Sequence, residues 1–169
     1  PIQLKKALIT MQKKNATVTI FITIIAIFSF LFLKPEQQNL LTILHTNDIH
    51  GRLNSINYNK ELKNVGGLAR RATLIEKIEN TNENVLVLDA GDFAQGSLIF
   101  NFYNGVPDIK MMCSAGYDAV TLGNHEFDKG LDNLEKIVNA SSIPVLSANI
   151  KFTENQNLQK KVKPYTIKE

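Results

Sequence analysis

The sequence predicts an α/β fold that is organised around a parallel sheet. Three apolar runs of strand length, at residues 40–44, 85–88 and 119–122, alternate with segments in which apolar residues recur at helical spacing. An unbroken apolar run is typical of a strand that is buried on both faces. The resulting β-α-β order predicts parallel strands joined by right-handed crossovers. Ligands bind beyond the carboxyl ends of the strands in such sheets, so the loops after these runs are the first place to look for a site.

The other elements follow from periodicity and from start and stop signals. After a polar surface loop at residues 54–64, Gly66 and Gly67 open a helix that extends to about residue 79, because its apolar residues share one face. Two further helices and a fourth strand are predicted at residues 108–115, 130–140 and 145–148. The tail from residue 151 is charged and rich in Asn and Gln, so it is predicted to be a solvated loop.

Length, charge and cysteine content limit the classes of function. The chain has 169 residues, about one domain by the usual range of domain sizes. Its formal net charge is +3 and its lysines are spread out without an arginine-rich stripe, so no nucleic-acid partner is expected. The single cysteine, Cys113, excludes an intrachain disulfide and a thiolate metal cluster. It lies on an apolar helix face and is expected to be a small buried hydrophobe.

The amino-terminal segment has the pattern of an export signal, and residues 1–33 are predicted to be a signal peptide or a signal anchor. Lysines precede a stretch between Val18 and Leu33 that carries no charge. As a helix this stretch spans about 24 Å, shorter than the ~30 Å hydrocarbon core of a bilayer, which favours a signal peptide. The bulky residues at 30–33 do not fit a cleavage site, so an uncleaved anchor stays open. Both interpretations place the remainder, after a linker at residues 34–39, outside the cytoplasm.

Polar side chains follow three of the predicted strands at the points where the strands end. Asp48 and His50 follow the first strand, Asp92 follows the second, and Asn124 follows the third. Oxygen ligands and imidazole nitrogens suit divalent metals such as Zn, Mn, Fe or Co. Two such ions ~3.5–4 Å apart clamp a phosphoryl group and lower the pKa of a bound water. The sequence therefore predicts a metal site with these four residues as its ligands.

His125 and Asp128 are the candidate catalytic residues. His125 directly follows a predicted ligand, so its imidazole is expected near the metals, where it can hydrogen-bond a phosphoryl oxygen or protonate the leaving oxygen. Asp128 can orient that imidazole and raise its pKa. Two other polar residues have simpler explanations, since Asp89 is expected to be a turn residue or helix cap and His45 a packed, hydrogen-bonded strand residue. The sequence has no P-loop and no Gly-x-Ser-x-Gly elbow, which excludes those nucleotide-binding and serine hydrolase motifs.

These motifs resemble those of a known family. The segments at residues 48–50, 91–92 and 123–126 are similar to the first three signatures of the calcineurin-like metallophosphoesterases. The likeness is closer to the 5'-nucleotidase family of exported enzymes within that superfamily, and among its members to ecto-5'-nucleotidases. It covers roughly residues 40–150, and it is carried by the motifs at residues 45–51, 66–70, 89–92, 95–97, 123–128 and 146–150.

The resemblance implies a fold, a cofactor and a reaction. The implied fold is a four-layer αββα metallophosphoesterase sandwich, of which residues 40–169 would form a truncated amino-terminal portion. The implied cofactor is a pair of divalent ions, with Zn, Mn, Co or Mg as the options. The implied reaction hydrolyses a nucleoside 5'-monophosphate to nucleoside and phosphate by in-line attack of metal-bound water, with a nucleotide as the substrate.

The resemblance also implies a role for each site residue. Asp48 and His50 would bind the first metal. Asp92 would bridge the two metals, and Asn124 would bind the second. His125 would stabilise the transition state, with Asp128 as its partner.

The sequence departs from the family in what it lacks. Its only histidines are His45, His50 and His125, whereas the family completes its site with further histidines downstream and with a carboxyl-terminal domain that binds the base. The 169 residues alone are therefore expected to be inactive. Two alternatives stay open: a cyclic-nucleotide phosphodiesterase or nucleotide-sugar hydrolase of the same family, or a non-catalytic truncated remnant. The expected location is extracytoplasmic, with membrane anchoring through Val18 to Leu33 if the signal is not cleaved.

Overall fold

The computed structural model describes residues 11–16, 18–25, 28, 40–57 and 59–168. The chain divides into two compact units, residues 1–39 and residues 40–169. In the first unit the described residues are helical. Across the described parts of the chain, no helix combines the length and the apolar character needed to cross a membrane. The predicted export signal at residues 1–33 falls largely outside the described residues and the linker at 34–39 entirely outside them, so both stay predictions.

A four-stranded parallel sheet organises the second unit, which confirms the predicted α/β class and the parallel direction of its strands. The strands are β1 (Thr42–Thr46), β2 (Val85–Asp89), β3 (Ala119–Thr121) and β4 (Val145–Leu146). They lie side by side in the order of the sequence. Thr46 pairs with Asp89, and Asp89 pairs with Val120. This register brings the carboxyl ends of the first three strands, and the polar loops that follow them, to one edge of the sheet.

All four strands differ from the predicted bounds by one or two residues, and the differences are largest at the first and the last strand. β1 begins at Thr42 rather than at residue 40 and extends through Thr46, because its ladder with β2 continues to the end of both strands. β4 ends at Leu146 rather than at residue 148. Beyond it the Ser147 N–H donates to the carbonyl of Lys163 at 2.8 Å, so the chain pairs with the carboxyl-terminal tail instead of extending its ladder with β3.

Five helices and one 3-10 turn connect and follow the strands within the described part of the second unit. They are α1 (Leu68–Glu79), α2 (Leu98–Tyr103), α3 (Val106–Ser114), the turn His125–Phe127, α4 (Leu131–Ala140) and α5 (Gln156–Lys161). The predicted α1 and α4 are confirmed. α3 was expected from residue 108 and instead begins at Val106, with Pro107 in its first turn, where the missing N–H of proline costs nothing.

Two helices were not predicted. α2 lies in a segment for which the sequence analysis predicted no element; the Ser97 hydroxyl caps it by accepting from Phe100 N at 3.0 Å. α5 lies in the tail that was expected to be a solvated loop, and that prediction is wrong. The Asn155 side chain caps α5 by accepting from Leu158 N at 2.9 Å, and Leu158 itself is fully buried. α5 is a polar segment with one buried apolar residue, which is too little periodicity to indicate a helix, and α2 is too short for its mostly apolar residues to show a helical period.

The two faces of the sheet differ in burial. Val87, Val120 and Val145 belong to the hydrophobic core on the face that the helices cover. On the other face Ile43 is 55 % exposed, and His45 beside it is also exposed. Within the described residues β1 is therefore buried on one face only, and the expectation that His45 is packed is wrong. Of the four-layer sandwich, the described residues provide one sheet and its helices.

Candidate metal centre

Three loops at the carboxyl edge of the sheet form the candidate site. The loop after β1 carries Asp48 and His50, and the loop after β2 carries Asp92. Backbone hydrogen bonds continue the parallel pairing beyond the strands, from Asp48 N to Gly91 O at 3.0 Å and from His50 N to Asp92 O at 3.0 Å. The two loops therefore keep the register of β1 and β2, which fixes their polar side chains next to each other.

The backbone of these loops is unusual at three of the predicted ligands. Asp48, His50 and Asp92 have φ angles of 53°, 49° and 54°, in the left-handed region. That region is uncommon for residues other than glycine, although Asp, Asn and His enter it more readily than most. Each such residue costs of the order of 1–3 kcal/mol, and the surrounding hydrogen bonds must hold it there. Backbone strain at sites of this kind is typical of functional loops.

The ligand atoms of three residues from three loops converge. One imidazole nitrogen each from His50 and His125 and one carboxylate oxygen from Asp92 lie within 4.8 Å of one another. The two imidazole rings meet edge to face with their centroids 4.9 Å apart. Asp48 lies at the margin of this cluster, with its Oδ1 3.6 Å from His50 Nε2. The structure thus brings together four of the six residues that the sequence singled out.

The remaining two residues lie on the loop after β3. Asn124 is exposed and directly precedes the 3-10 turn that begins with His125. Asp128 follows that turn, and its Oδ2 lies 2.8 Å from His125 Nδ1. This hydrogen bond raises the pKa of His125 above its ordinary value, and the carboxylate of Asp92 adds to the same effect. The predicted pairing of His125 with Asp128 is therefore present in the structure.

A further carboxylate, Glu126, contacts the backbone of the loops after β2 and β3, and the sequence analysis gave it no role. Glu126 is 1 % exposed. Its Oε2 accepts hydrogen bonds from Asp92 N at 3.0 Å and Gly123 N at 2.6 Å, and its Oε1 accepts from Ala94 N at 3.0 Å. Burial raises the pKa of this carboxyl, and the three amide donors oppose that rise. The only sequence signal for Glu126 is its place in the third signature, because amide contacts leave no pattern in a sequence.

A further polar network supports the ends of β1 and β2. Asp89 accepts from Gly91 N at 3.0 Å, so the expectation that it is a turn residue is confirmed. It also accepts from the Thr46 hydroxyl at 2.6 Å, which in turn contacts the Tyr117 hydroxyl at 2.8 Å. Burial raises the pKa of Asp89 to about 6. Through Asp89, these hydrogen bonds connect the loop after β2 to Thr46 at the end of β1 and to Tyr117.

Comparison with known proteins identifies the family. A sequence model of the calcineurin-like phosphoesterases matches residues 41–165, most of the second unit. The chain belongs to the calcineurin-like phosphoesterase family. The chain is 45 % identical over 134 residues to a snake venom 5'-nucleotidase from Naja atra, covering 75 % of this chain and 25 % of that protein. It is 44 % identical over 117 residues to a 5'-nucleotidase from Homo sapiens, covering 66 % of this chain and 20 % of the human protein.

Solved structures confirm the fold of the chain. The structure of a 5'-nucleotidase precursor from Thermus thermophilus superimposes with a TM-score of 0.70 at 38 % identity, covering 75 % of this chain and 25 % of that one. A Haemophilus influenzae NAD nucleotidase superimposes with a TM-score of 0.68 at 35 % identity, covering 75 % and 24 %. The metallophosphoesterase fold expected from the sequence is confirmed. The chain spans about a quarter of the length of the relatives that it matches.

The donor set at this edge of the sheet fits a divalent metal. The His50 imidazole, the Asp92 carboxylate and, at the margin, the Asp48 carboxylate offer the nitrogen and oxygen donors that first-row transition metals bind, and the His125 imidazole lies within 4.8 Å of the first two. These donors come from three separate loops. Backbone hydrogen bonds hold the loops after β1 and β2 in register, and the side chains of Asp92 and Glu126 join the loop after β3 to the loop after β2. The arrangement therefore has the chemistry of a metal centre, and it belongs to a family that uses divalent metals.

Proposed function

We propose that the whole protein hydrolyses nucleoside 5'-monophosphates to nucleoside and inorganic phosphate, with two divalent ions as cofactors. The observation that carries this proposal is the convergence of His50, Asp92 and His125 at the edge of the sheet. The substrate class is supported by relatives that are named 5'-nucleotidases. Because the chain spans about a quarter of those relatives, the activity is assigned to the whole protein.

The proposed ligands are the four residues that follow the first three strands. Asp48 and His50 would hold one ion, and their side chains already lie 3.6 Å apart. Asp92 would be shared by both ions, and Asn124 would belong to the second. When bound, the ions would neutralise the phosphoryl oxygens and lower the pKa of the attacking water. Zn, Mn, Co and Mg all remain suitable for this donor set.

His125 is proposed to act on the phosphoryl group. Its Nδ1 is engaged by Asp128 at 2.8 Å, which fixes the orientation of the ring and leaves Nε2 to face the substrate. With a proton on Nε2, the imidazole can donate to a phosphoryl oxygen and then to the leaving 5'-oxygen. Asp128 would keep the ring in the orientation that this transfer requires. The backbone N–H of His125 also donates to Asp92 Oδ1 at 2.9 Å, which ties the proposed proton donor to the proposed shared ligand.

The reaction is proposed to take place outside the cytoplasm. The support comes from the lysines and the uncharged stretch in residues 1–33, the pattern of an export signal. The similarity to nucleotidases of snake venom agrees with this location. Anchoring through Val18 to Leu33 and release by cleavage would be distinguished by sequencing the amino terminus of the mature protein.

The test combines metal content with phosphate release from AMP, measured on the 169-residue chain and on the whole protein that its gene encodes. The whole protein should contain two divalent ions and release phosphate, whereas the chain alone should not turn over. Asp92→Asn in the whole protein should lose both activity and metal, while Asp132→Asn, an exposed carboxylate on α4, should lose neither. Normal turnover of Asp92→Asn with two bound ions would contradict the shared role.

His125→Ala separates ligand from catalyst. It should retain the metal content of the whole protein and lower kcat by about 10²-fold or more, the scale of one proton donor or phosphoryl contact. Loss of metal in this variant would make His125 a ligand. A substrate panel with a cyclic nucleotide, a nucleotide sugar and NAD would reveal the related phosphodiesterase and hydrolase activities. Absence of any turnover and of a second ion would favour the non-catalytic remnant.

A further inference from the structure

Glu126 is a buried carboxylate whose hydrogen bonds all go to the loops of the candidate site. It is 1 % exposed, and within the described part of the chain no cation forms an ion pair with it. Its charge is instead met by the backbone N–H groups of Asp92, Ala94 and Gly123. A buried charge without a counter-ion is costly unless hydrogen bonds satisfy it, so these contacts determine where Glu126 can lie.

The three amides belong to two different strands' loops. Asp92 N and Ala94 N lie on the loop after β2, while Gly123 N lies on the loop after β3, two residues before His125. One oxygen, Oε2, bridges the two loops directly, because it accepts from both Asp92 N and Gly123 N. The carboxylate therefore acts as a fixed spacer between the backbone of Asp92 and the backbone of the third signature.

The contact between these loops is too close to tolerate a side chain. A methyl group at Gly123 would overlap Asp92 Oδ1, and a methyl group at Gly91 would lie 2.5 Å from Gly123 N. The His125 N–H also donates to Asp92 Oδ1 at 2.9 Å. The side chain of Asp92 is thus aimed by the loop after β3, and the separation of the two loops sets its distance from His125. Glu126 is the buried group that spans that separation.

We propose that Glu126 is a positioning residue, which holds the loops after β2 and β3 at the separation that the metal centre requires and thereby sets its affinity for divalent ions. This inference rests on the proposed function, since it concerns the same metal site. Groups that orient metal ligands by hydrogen bonds, without binding the metal themselves, typically contribute a factor of about 10–100 in metal affinity. Glu126 differs from the ligands in acting only through the backbone of Asp92, Ala94 and Gly123.

Glu126→Gln is the informative change because it keeps the length and shape of the side chain. Glutamine offers one acceptor oxygen and an NH₂ donor where glutamate offers two acceptors. Its NH₂ group must therefore face at least one of the three amide donors, and that contact becomes repulsive. The matched control is Glu135→Gln on α4. Glu135 also accepts two hydrogen bonds, from the side chains of Asn155 at 2.8 Å and Asn157 at 2.6 Å, but it contacts no residue of the site among its described partners.

The experiment measures Mn²⁺ affinity by electron paramagnetic resonance on the full 169-residue chain, at a temperature where circular dichroism shows every variant to be folded. Glu126→Gln should weaken Mn²⁺ binding by about 10–100-fold, while Glu135→Gln should bind as the wild type does. Urea unfolding of the same samples measures stability separately. A purely structural Glu126 would lower the unfolding midpoint and leave the Mn²⁺ affinity of the folded chain unchanged, and that result would overturn the proposal.

Two other results of this experiment also have a defined interpretation. If Glu126→Gln does not fold, Glu126→Asp, which keeps the charge and shortens the side chain by one methylene, is measured with the same criterion for Mn²⁺ affinity. If the wild-type chain itself binds no Mn²⁺, its residues do not form a metal site on their own and the positioning role fails, whereas the proposed function is decided by the metal content of the whole protein. Wild-type binding with unchanged affinity in the Glu126 variants would overturn the positioning role alone.

Discussion

Asp108 offers a test of how the fold responds to pH. This residue lies in the first turn of α3 and is 1 % exposed, and neither of its carboxylate oxygens accepts a hydrogen bond from any other described residue. Burial raises the pKa of Asp108 from 3.8 to about 6, while its own backbone amide offsets only part of that rise and the buried Glu126 adds to it. At ~1.4 kcal/mol per pKa unit, this shift corresponds to about 3 kcal/mol.

The sign follows from proton binding. Because the folded state binds the Asp108 proton more tightly than the unfolded state, the contribution of Asp108 to the unfolding free energy is greatest below pH 3.8. This contribution is lost as the pH rises from 3.8 through about 6. Asp108→Asn removes the titration and keeps the shape of the side chain. The difference in unfolding free energy between variant and wild type should therefore shift in favour of the variant by about 2 kcal/mol between pH 4 and pH 7.5.

The assay is urea unfolding of the full chain at both pH values. Any cost of burying the asparagine amide is present at both pH values, so it cancels in the comparison. Asp132→Asn, in the first turn of α4, is the matched control because its side chain is exposed. An equal difference between Asp108→Asn and the wild type at pH 4 and pH 7.5 would refute the reasoning, since it would mean that Asp108 is hydrated or paired in the folded protein.

Two further predictions concern the support of the site. Gly91→Ala should destabilise the chain by at least ~1 kcal/mol more than Gly66→Ala. A methyl group at residue 91 would lie 2.5 Å from the backbone N of Gly123, whereas nothing lies within 4 Å of a methyl group at residue 66. Equal losses in urea unfolding would show that the loops part easily. Tyr117→Phe should cost about 1–2 kcal/mol by removing the hydroxyl that contacts Thr46, whereas the exposed Tyr165→Phe should cost less than ~0.5 kcal/mol. Equal losses of unfolding free energy in the two variants would show that the contact between Tyr117 and Thr46 does not stabilise the fold.

The sequence predicted the framework where periodicity is strong. α1 and α4 carry apolar residues on one face over three turns, and both begin and end close to the expected residues. The strands were also recognisable because apolar runs of that length have few alternatives. By contrast, α2 and α5 each have six residues and depend on single capping side chains, Ser97 and Asn155. A cap of this kind is recognisable only once the helix is known, because Ser and Asn are equally common in turns.

The candidate site divides in the same way. Asp48, His50 and Asp92 could be predicted to converge because each follows a strand and the strands are parallel. The register of the sheet therefore sets the positions of these three residues. The role of Glu126 could not be predicted from its neighbours, since its partners are backbone amides from two loops. His45 shows the opposite error. Its position in an apolar run suggested a packed residue, but the face of β1 that it occupies is open within the described residues.

The site is assembled mainly by backbone contacts, and this has a consequence for its order without metal. The loops after β1 and β2 are joined by backbone hydrogen bonds, and the loops after β2 and β3 are joined through Glu126. The left-handed conformations of Asp48, His50 and Asp92 cost free energy that these bonds must offset whether or not an ion is present. A site built in this way is pre-organised, so binding an ion should order few backbone groups. The amides of Asp92 and Gly123 should therefore be protected from hydrogen exchange before metal is added.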